Sequence, residues 1–386
     1  MSLSVLHVVG NAPAPFVNDL VLNQMNRSDL SVRYAIYKRK KTVKELLPRA
    51  DYVDQNVGWF ERFVDKLPGT RIHGAPKGRL RRIKRLLDQD GVQVIHAHFG
   101  WSVWSCMEPL FQFYDLDLPV LVSVHGTDVL SKIAESDERR EIFLRFCARP
   151  RVHIAVASDF MRDEVLKLGL GPEKIARISN TVPEGLFERP ANRRLDEVFR
   201  VVCTARFVRW KGHDVLIRAF ARFLEQQGCA AQLILIGGGS EEGRLRALVK
   251  SLGLTRHVEF TGWIQRKAIN EHLGESDLYV QPSLHDAQTN QCETFGIAIL
   301  EAILAGLPVI VSDCGGIPEV VGDDRRYSEI IAQNDVAALT DAIGHAYSKR
   351  NEPFDNRRYA RKRMERFSPQ RQLEECLTAY QELTAG

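Results

Sequence analysis

No apolar run in this sequence approaches the roughly 18–20 residues that a helical membrane span needs. Cysteine is sparse and unpatterned: the seven residues at 106, 147, 203, 229, 292, 314 and 376 show no paired spacing. Such a set fits a reducing compartment and argues against a disulfide framework or a zinc site. The first strand signal is not followed by G-x-G-x-x-G, which counts against a simple nicotinamide dinucleotide enzyme. The opening stretch SLSVLHVVG lacks the length and basic flank of a signal peptide core and reads as a buried strand. A cytoplasmic location is therefore expected.

What is present is an ordinary globular composition, 44% hydrophobic and 26% charged over 386 residues, enough for two or three domains. The net charge of +4 is unevenly spread. Residues 36–90 hold fifteen Lys/Arg against seven Asp/Glu, including Lys38-Arg39-Lys40-Lys41 and the run Lys77, Arg79, Arg81, Arg82, Lys84, Arg85. This reads either as solvated faces or as a contact for an anionic membrane surface or an anionic acceptor, which puts any such protein on the inner face of a plasma membrane. No nucleic-acid-binding module accompanies the charge, so nucleic acid is not an expected partner.

Apolar strands alternate with helical segments along the whole chain. Strands are expected at 5–10, 32–37, 92–99, 120–126 and 152–158, with helices at 16–25, 79–87 and 159–168. Residues 180–200 are rich in Pro, Asn and charge without periodicity and mark a boundary. A second series follows, with strands at 199–207, 231–237 and 258–264 and helices at 214–226, 241–252 and 266–273. The expectation is α/β: two doubly wound Rossmann-like domains, residues 1–183 and 199–365, joined by a linker at 184–198. A terminal helix at 366–386 would pack back on the first domain, and the cleft between the domains would be the natural active site.

Polar groups gather at the expected strand ends. In the first half these are Gly10, His96, His98, His125 and Asp128. His96 and His98 alternate along one strand and share a face, but no third metal-ligating partner is evident, so structural or ligand-lining roles are expected. The triplets Asp88-Gln89-Asp90 and Asp115-Leu116-Asp117 precede strands, at the wrong end for a metal–diphosphate clamp, and read as loop caps. In the second half, Arg206 and Lys211 lie between a strand and a helix and can converge on phosphate oxygens, with Arg209 as a substitute. Gly237-Gly238-Gly239 precedes a helix, as phosphate-binding backbone nests do.

The densest stretch is 281–322, QPSLHDAQTNQCETFGIAILEAILAGLPVIVSDCGGIPEVVG. It reads strand–loop–helix–strand, with Glu293 and Glu301 eight residues apart. On a continuous helix eight residues are about 12 Å of rise and roughly 80° of rotation. One carboxylate would sit at the helix mouth, where phosphate is attracted, and the other two turns inside. That order suits a sugar nucleotide; the plainer reading is a crossover helix with two solvated glutamates.

Residues 204–322 resemble the donor domain of retaining GT-B glycosyltransferases, specifically glycosyltransferase family 4, the "glycosyl transferases group 1" domain. The resemblance rests on Arg206 and Lys211, the Gly237–Gly239 loop, Val258–Gly262 and the Glu293-x7-Glu301 run. Val124–Asp128 and the strand ending at His96–Gly100 resemble bacterial members that build exopolysaccharide, O-antigen and lipopolysaccharide. The resemblance implies a GT-B fold and retaining, metal-independent transfer of a hexose-type sugar. It implies a UDP- or GDP-linked donor, a saccharide or lipid-linked saccharide acceptor, and no cofactor. It also implies roles for each residue. Arg206 and Lys211 would neutralise the diphosphate, and backbone N–H groups around Thr294, Phe295 and Gly296 would assist. Glu293 would hold the sugar, Glu301 the ribose diol, and His125 would line the sugar pocket. Gly10, Gly237 and Gly239 would let the backbone approach the donor, leaving His96, His98 and Asp128 as acceptor or cleft candidates. The Gly10-Asn11-Ala12-Pro13 turn departs from the glycine-rich loop of many relatives. A sugar-nucleotide epimerase, a phosphorylase of the same architecture and a non-catalytic nucleotide-sugar-binding subunit remain as alternatives.

Overall fold

The computed structural model describes residues 2–10, 14–37, 50–53, 71–72, 75–183, 185–187, 197–352 and 354–385. Lys38-Arg39-Lys40-Lys41 and Asn11-Ala12-Pro13 lie outside the described residues. The chain forms two compact units, Met1–Asn180 with Pro369–Gly386, and Thr181–Ser368.

The first unit contains β1 (Leu3–Val9), α1 (Pro15–Met25), β2 (Leu30–Ile36), β3 (Asp51–Tyr52), β4 (Arg71–Ile72), β5 (Ala75–Pro76), α2 (Lys77–Gln89), β6 (Val94–His98), α3 (Glu108–Tyr114), β7 (Val120–Ser123), α4 (Asp137–Cys147), β8 (Val152–Val156), α5 (Asp159–Leu166) and β9 (Ile175–Arg177). Its parallel sheet runs β3-β2-β1-β6-β7-β8-β9, with β4 and β5 paired separately and antiparallel. The strands read as near-continuous apolar runs because both faces are covered, as parallel sheets require. One face packs on residues such as Leu80, Ile83, Leu110 and Phe146. The other is closed by the C-terminal helix Pro369–Ala385, whose Leu373, Cys376, Tyr380 and Leu383 pack with Val5, Val94 and Leu121. Ser136 and Ser158 cap α4 and α5 by accepting from the N–H groups of Arg139 and Met161.

The second unit contains β10 (Phe199–Thr204), α6 (His213–Gln227), β11 (Ala231–Ile236), α7 (Glu242–Ser251), β12 (Val258–Gly262), α8 (Arg266–Gly274), β13 (Leu278–Gln281), α9 (Ile297–Leu304), β14 (Val309–Ser312), α10 (Ile317–Val321), β15 (Ser328–Ile331), α11 (Val336–Ser348) and α12 (Arg357–Arg366). The parallel sheet order is β12-β11-β10-β13-β14-β15. The order reverses between β10 and β13, so the crevice beyond their C-terminal ends is the topological switch point where such sheets bind ligands. Helix α6 shows why the unit is stable. Val215, Leu216, Ala219, Phe220 and Phe223 are buried against the sheet, and each large side chain contributes roughly 1.5–3 kcal/mol. Gly228 in the left-handed region (φ +58°) ends it.

Two expectations need correcting. The strands expected to reach Gly126 and Phe207 end at Ser123 and Thr204, because the chain turns there into the loops that carry the polar residues. Glu293 and Glu301 are not on one helix. Helix α9 starts at Ile297 after Gly296 (φ +103°), so Glu293 precedes it and Glu301 is its fifth residue. The 12 Å helical ruler does not apply to the pair. The two Asp triplets serve the scaffold: Asp90 pairs with Arg33 at 2.8 Å, Asp88 with Lys84, and Asp115 ends α3 in the left-handed region. Among the described residues no helix is long and apolar enough to cross a membrane.

Candidate functional site

The loops at the switch point of the second sheet converge on one carboxylate. Glu293 Oε2 is paired with Lys211 Nζ, and both residues are about nine-tenths buried. Gln281, the last residue of β13, donates from Nε2 to the same oxygen at 2.8 Å. Its own Oε1 accepts from the Tyr279 hydroxyl at 2.7 Å, which fixes the orientation of the amide. Lys211 also lies 4.2 Å from the centre of the Trp210 ring. Gly212 makes this possible: its φ is +68°, and a Cβ there would lie 1.9 Å from the Pro282 carbonyl oxygen. The turn that presents Lys211 is therefore packed directly on the end of β13.

Glu293 has a second anchor in the turn after β14. Its carbonyl oxygen accepts from Gly316 N–H at 3.0 Å. Gly315 (φ +55°) sits so close that a Cβ would meet that oxygen at 1.9 Å. The polar loop before Glu293 is ordered by Asp286, which accepts from Gln288 N–H at 3.1 Å and the Thr289 hydroxyl at 2.9 Å. Phe295 points into the core against Phe367, so only its backbone can serve a ligand. Thr294 is half-buried beside it, and Glu301 is buried within α9.

Arg206 is exposed at the mouth of the same loop, 5.7 Å from the Trp210 ring centre, while Arg209 is held by Gln288 at 2.9 Å. Gly237 (φ +133°) and Gly239 are needed for close approach: added Cβ atoms would lie 2.2 Å from Ala205 O and 2.4 Å from Phe207 O. The Gly237 N–H is already donated to Gly262 O, so its contribution is shape and not a free donor. Over Gly238 stands Trp263, 71% exposed, with its Nε1 2.8 Å from where a Cβ would sit. Sequence periodicity hides this large exposed indole: it places Trp263 inside the strand expected at 258–264, whereas β12 ends at Gly262 and Trp263 follows it.

In the first unit, Asp128 clamps two loops. It is fully buried and accepts from Gly100 N–H at 2.7 Å and His125 N–H at 3.0 Å, while burial pushes its carboxyl above the usual range. It positions His125, whose half-buried ring meets Phe16 and Phe99 edge-on and is pushed down to about 3 by burial. His125 is neutral at working pH. Gly10 admits the Tyr37 ring: a Cβ there would lie 2.6 Å from its hydroxyl oxygen.

His96 and His98 are fully buried and have a third partner after all. Pairing of β1 with β6 brings His7 alongside, with ligand atoms of the three residues within 4.8 Å of one another. His7 Nδ1 meets His98 Nε2 at 2.9 Å and its Nε2 meets Gln24 at 2.9 Å. His96 bridges the Tyr380 and Ser123 hydroxyls at 2.6 and 2.7 Å. The rings of His7 and His96 each stack on that of His98, at 13° and 22° between planes. Both nitrogens of His7 and His96 are engaged. This geometry suits a hydrogen-bonded seam under the C-terminal helix better than a metal centre. A cavity of about 190 Å³ opens at the opposite, N-terminal end of the second sheet, near Phe199, Leu278 and Tyr327, away from these loops.

Residues 187–363 match the family model for glycosyl transferases group 1, and residues 41–185 match that for glycosyltransferase family 4. The chain belongs to this glycosyltransferase family. Among its relatives is a GDP-mannose-dependent alpha-(1-6)-phosphatidylinositol monomannoside mannosyltransferase of Mycolicibacterium smegmatis, 32% identical over 173 residues, or 45% of this chain and 42% of that protein. Another is the amylovoran biosynthesis glycosyltransferase AmsK of Erwinia amylovora, 28% identical over 225 residues, or 58% and 54% of the two chains. The matches thus span about half the length of these curated relatives. Among solved structures, a glycosyltransferase from Rickettsia africae superimposes with TM-score 0.77 at 18% identity, covering 99% and 98% of the chains. HepE from Anabaena, crystallised with UDP and glucose, gives 0.75 at 17% identity, covering 98% and 100%. These neighbours establish the GT-B fold for this chain.

Proposed function

We propose that this chain transfers a hexose-type sugar from a UDP- or GDP-linked donor to a saccharide acceptor, with retention at the anomeric carbon and without a metal. The acceptor we assign is lipid-linked, in assembly of a cell-surface polysaccharide or glycolipid. The observation that carries the reading is the buried Lys211–Glu293–Gln281 cluster at the switch point of the second sheet. Glycosyl transfer builds positive charge on the sugar ring and negative charge on the departing diphosphate. Cations aimed at the diphosphate therefore stabilise the transition state more than the ground state.

In this reading Lys211 and Arg206 take the diphosphate, assisted by backbone donors from Thr294 to Gly296 at the start of α9. Glu293 holds sugar hydroxyls, and Glu301 the ribose diol. Gly237 and Gly239 keep the wall low, and Trp263 is a stacking surface for the base. In the first unit, His125 offers a neutral ring to sugar hydroxyls, Asp128 positions it, and His96 and His98 hold the wall behind it. Gly10 lies at the corresponding strand end. Helix α2 supports peripheral contact with an anionic membrane on the cytoplasmic side. Leu80, Ile83 and Leu87 are buried while Arg81 and Arg85 are exposed, each contributing on the order of 1 kcal/mol near such a surface.

Thermal-shift screening with UDP-, GDP- and ADP-sugars, followed by mass spectrometry of products on lipid-diphosphate saccharides, tests the reading. A donor-dependent mass gain of one hexose is expected. Free nucleotide with a rearranged sugar and no acceptor product would instead indicate an epimerase.

A further inference from the structure

Outside glycine, left-handed backbone occurs among the described residues at Asp115, Asn290 and Asn334, whose short polar side chains tolerate it. It occurs also at Phe99, at φ +67°, directly after β6. Glycine or asparagine is the ordinary occupant of such a turn, and an aromatic residue there is strained.

The surrounding hydrogen bonds impose the conformation. Phe99 N–H donates to the Ser123 carbonyl oxygen at 2.7 Å, and the Phe99 carbonyl oxygen accepts from Ser102 N–H at 2.9 Å. Gly100 N–H donates to the Asp128 carboxylate at 2.7 Å, and the Trp101 carbonyl oxygen accepts from the Ser105 hydroxyl at 2.6 Å. Strain of this kind persists where the surroundings over-determine it, and it gathers at ligand sites.

What the strained turn presents is an aromatic ledge. The rings of Phe99 and Trp101 lie parallel, 6° between planes, with centres 4.3 Å apart. Phe99 meets His125 edge-on at 4.5 Å, and His125 meets Phe16 at 4.9 Å. Phe99, Trp101 and Phe16 are all partly exposed. Phe99 also borders the small core of Val9, Val17 and Tyr34, so packing is the competing account of its presence. In this unit cations stand over Tyr37, Tyr114, Trp104, Phe111 and Phe146, and among the described residues none stands over Phe99, Trp101 or Phe16. The ledge is uncharged, which suits a neutral sugar ring better than a nucleotide. It follows the C-terminal end of a parallel strand, where such sheets bind ligands.

We infer that Phe99 and Trp101 form a stacking surface for a pyranose ring of the acceptor saccharide, with His125 beside it. The C–H face of a pyranose is apolar and weakly positive, and it complements the negative face of an aromatic ring. Asp128 holds both parts in register, because its carboxylate takes the N–H groups of Gly100 and of His125. That the stacked sugar is the acceptor rests on the activity proposed above; the stacking surface itself does not.

The first readout needs no turnover. Saturation-transfer NMR with the full chain uses methyl α-mannopyranoside, methyl β-glucopyranoside and methyl β-galactopyranoside as probes. Irradiating the aromatic resonances should saturate the ring C–H protons of at least one probe. Trp101→Ala should abolish the effect and Trp101→Tyr should keep it. No saturation of any of the three, or equal saturation in Trp101→Ala, overturns the surface. In the transfer assay, Trp101→Ala and Phe99→Gly should each raise the acceptor KM about tenfold and leave the donor KM unchanged. Glycine relieves the left-handed strain, so Phe99→Gly should also hold the urea midpoint. A lower midpoint with an unchanged acceptor KM assigns Phe99 to packing and overturns its part in the surface. Saturation that depends on Trp101 in a chain that transfers no sugar counts against the proposed activity alone. Transfer at the wild-type acceptor KM by both variants counts against the surface alone.

Discussion

Replacing Lys211 by Met should destabilise the second unit and stop transfer, and the two effects should separate in a double mutant. Lys211 and Glu293 are each about nine-tenths buried, and Glu293 Oε2 also accepts from Gln281 Nε2 at 2.8 Å. Removing Lys211 leaves a buried carboxylate with its main compensating charge gone, which costs roughly 3–5 kcal/mol, whereas an exposed pair would cost below about 1 kcal/mol. With a urea dependence of about 2 kcal/mol per molar, the midpoint should fall by roughly 2 M. Lys211→Met with Glu293→Gln leaves neither charge behind and should recover most of that stability, giving a coupling of about 2–3 kcal/mol. Transfer should not recover. We expect a loss of about 100-fold or more in both the single and the double variant, equivalent to roughly 3 kcal/mol of transition-state stabilisation. The assay is urea denaturation of the four proteins beside product formation at saturating donor. Independent, additive stability losses would refute the pairing argument. Wild-type transfer by Lys211→Met would refute its role in catalysis.

Three further outcomes follow from particular contacts. Gly212→Ala should cost about 2–3 kcal/mol by urea denaturation, because its Cβ would overlap the Pro282 carbonyl oxygen at a φ of +68°. Trp263→Ala should weaken binding of a nucleotide-sugar by roughly tenfold in calorimetry while leaving the urea midpoint unchanged, since the indole is 71% exposed. Stability should fall in mild acid: burial pushes His7 down to about 4 against 6.5 unfolded, so the unfolded chain binds the extra proton between those values. The contribution is present above pH 6.5 and lost as pH falls toward 4, about 2 kcal/mol by pH 5 from His7 alone. His96 and His98 are displaced in the same direction by burial and steepen the loss, which a flat urea midpoint between pH 7.5 and 5 would contradict.

The fold class was legible because central strands are apolar on both faces and crossover helices such as α6 carry a 3.6-residue apolar stripe. Leu233–Ile236 and Val309–Val311 announce buried strands without any partner being known. Motif order in the second half likewise placed Arg206, Lys211 and Glu293 at strand ends. What the sequence could not show are contacts set by strand order. His7 reaches His98 across 91 residues, and Lys211 reaches Glu293 across 82. Both depend on which strands become neighbours. The helical ruler for Glu293 and Glu301 failed for a local reason: Gly296 adopts a conformation that starts the helix after Glu293. The seat of Glu293 on Cys314-Gly315-Gly316 was also hidden, because a glycine pair after a strand reads as a plain turn until its φ and neighbours are known.

The most direct measurement is the anomeric configuration of the product by NMR, after incubation of purified protein with a UDP- or GDP-hexose of defined configuration and a lipid-diphosphate saccharide. The account predicts one added hexose with the donor's configuration retained, formed equally well in the presence of a chelator. An inverted product, or no transfer from any nucleotide-sugar that binds, would contradict it.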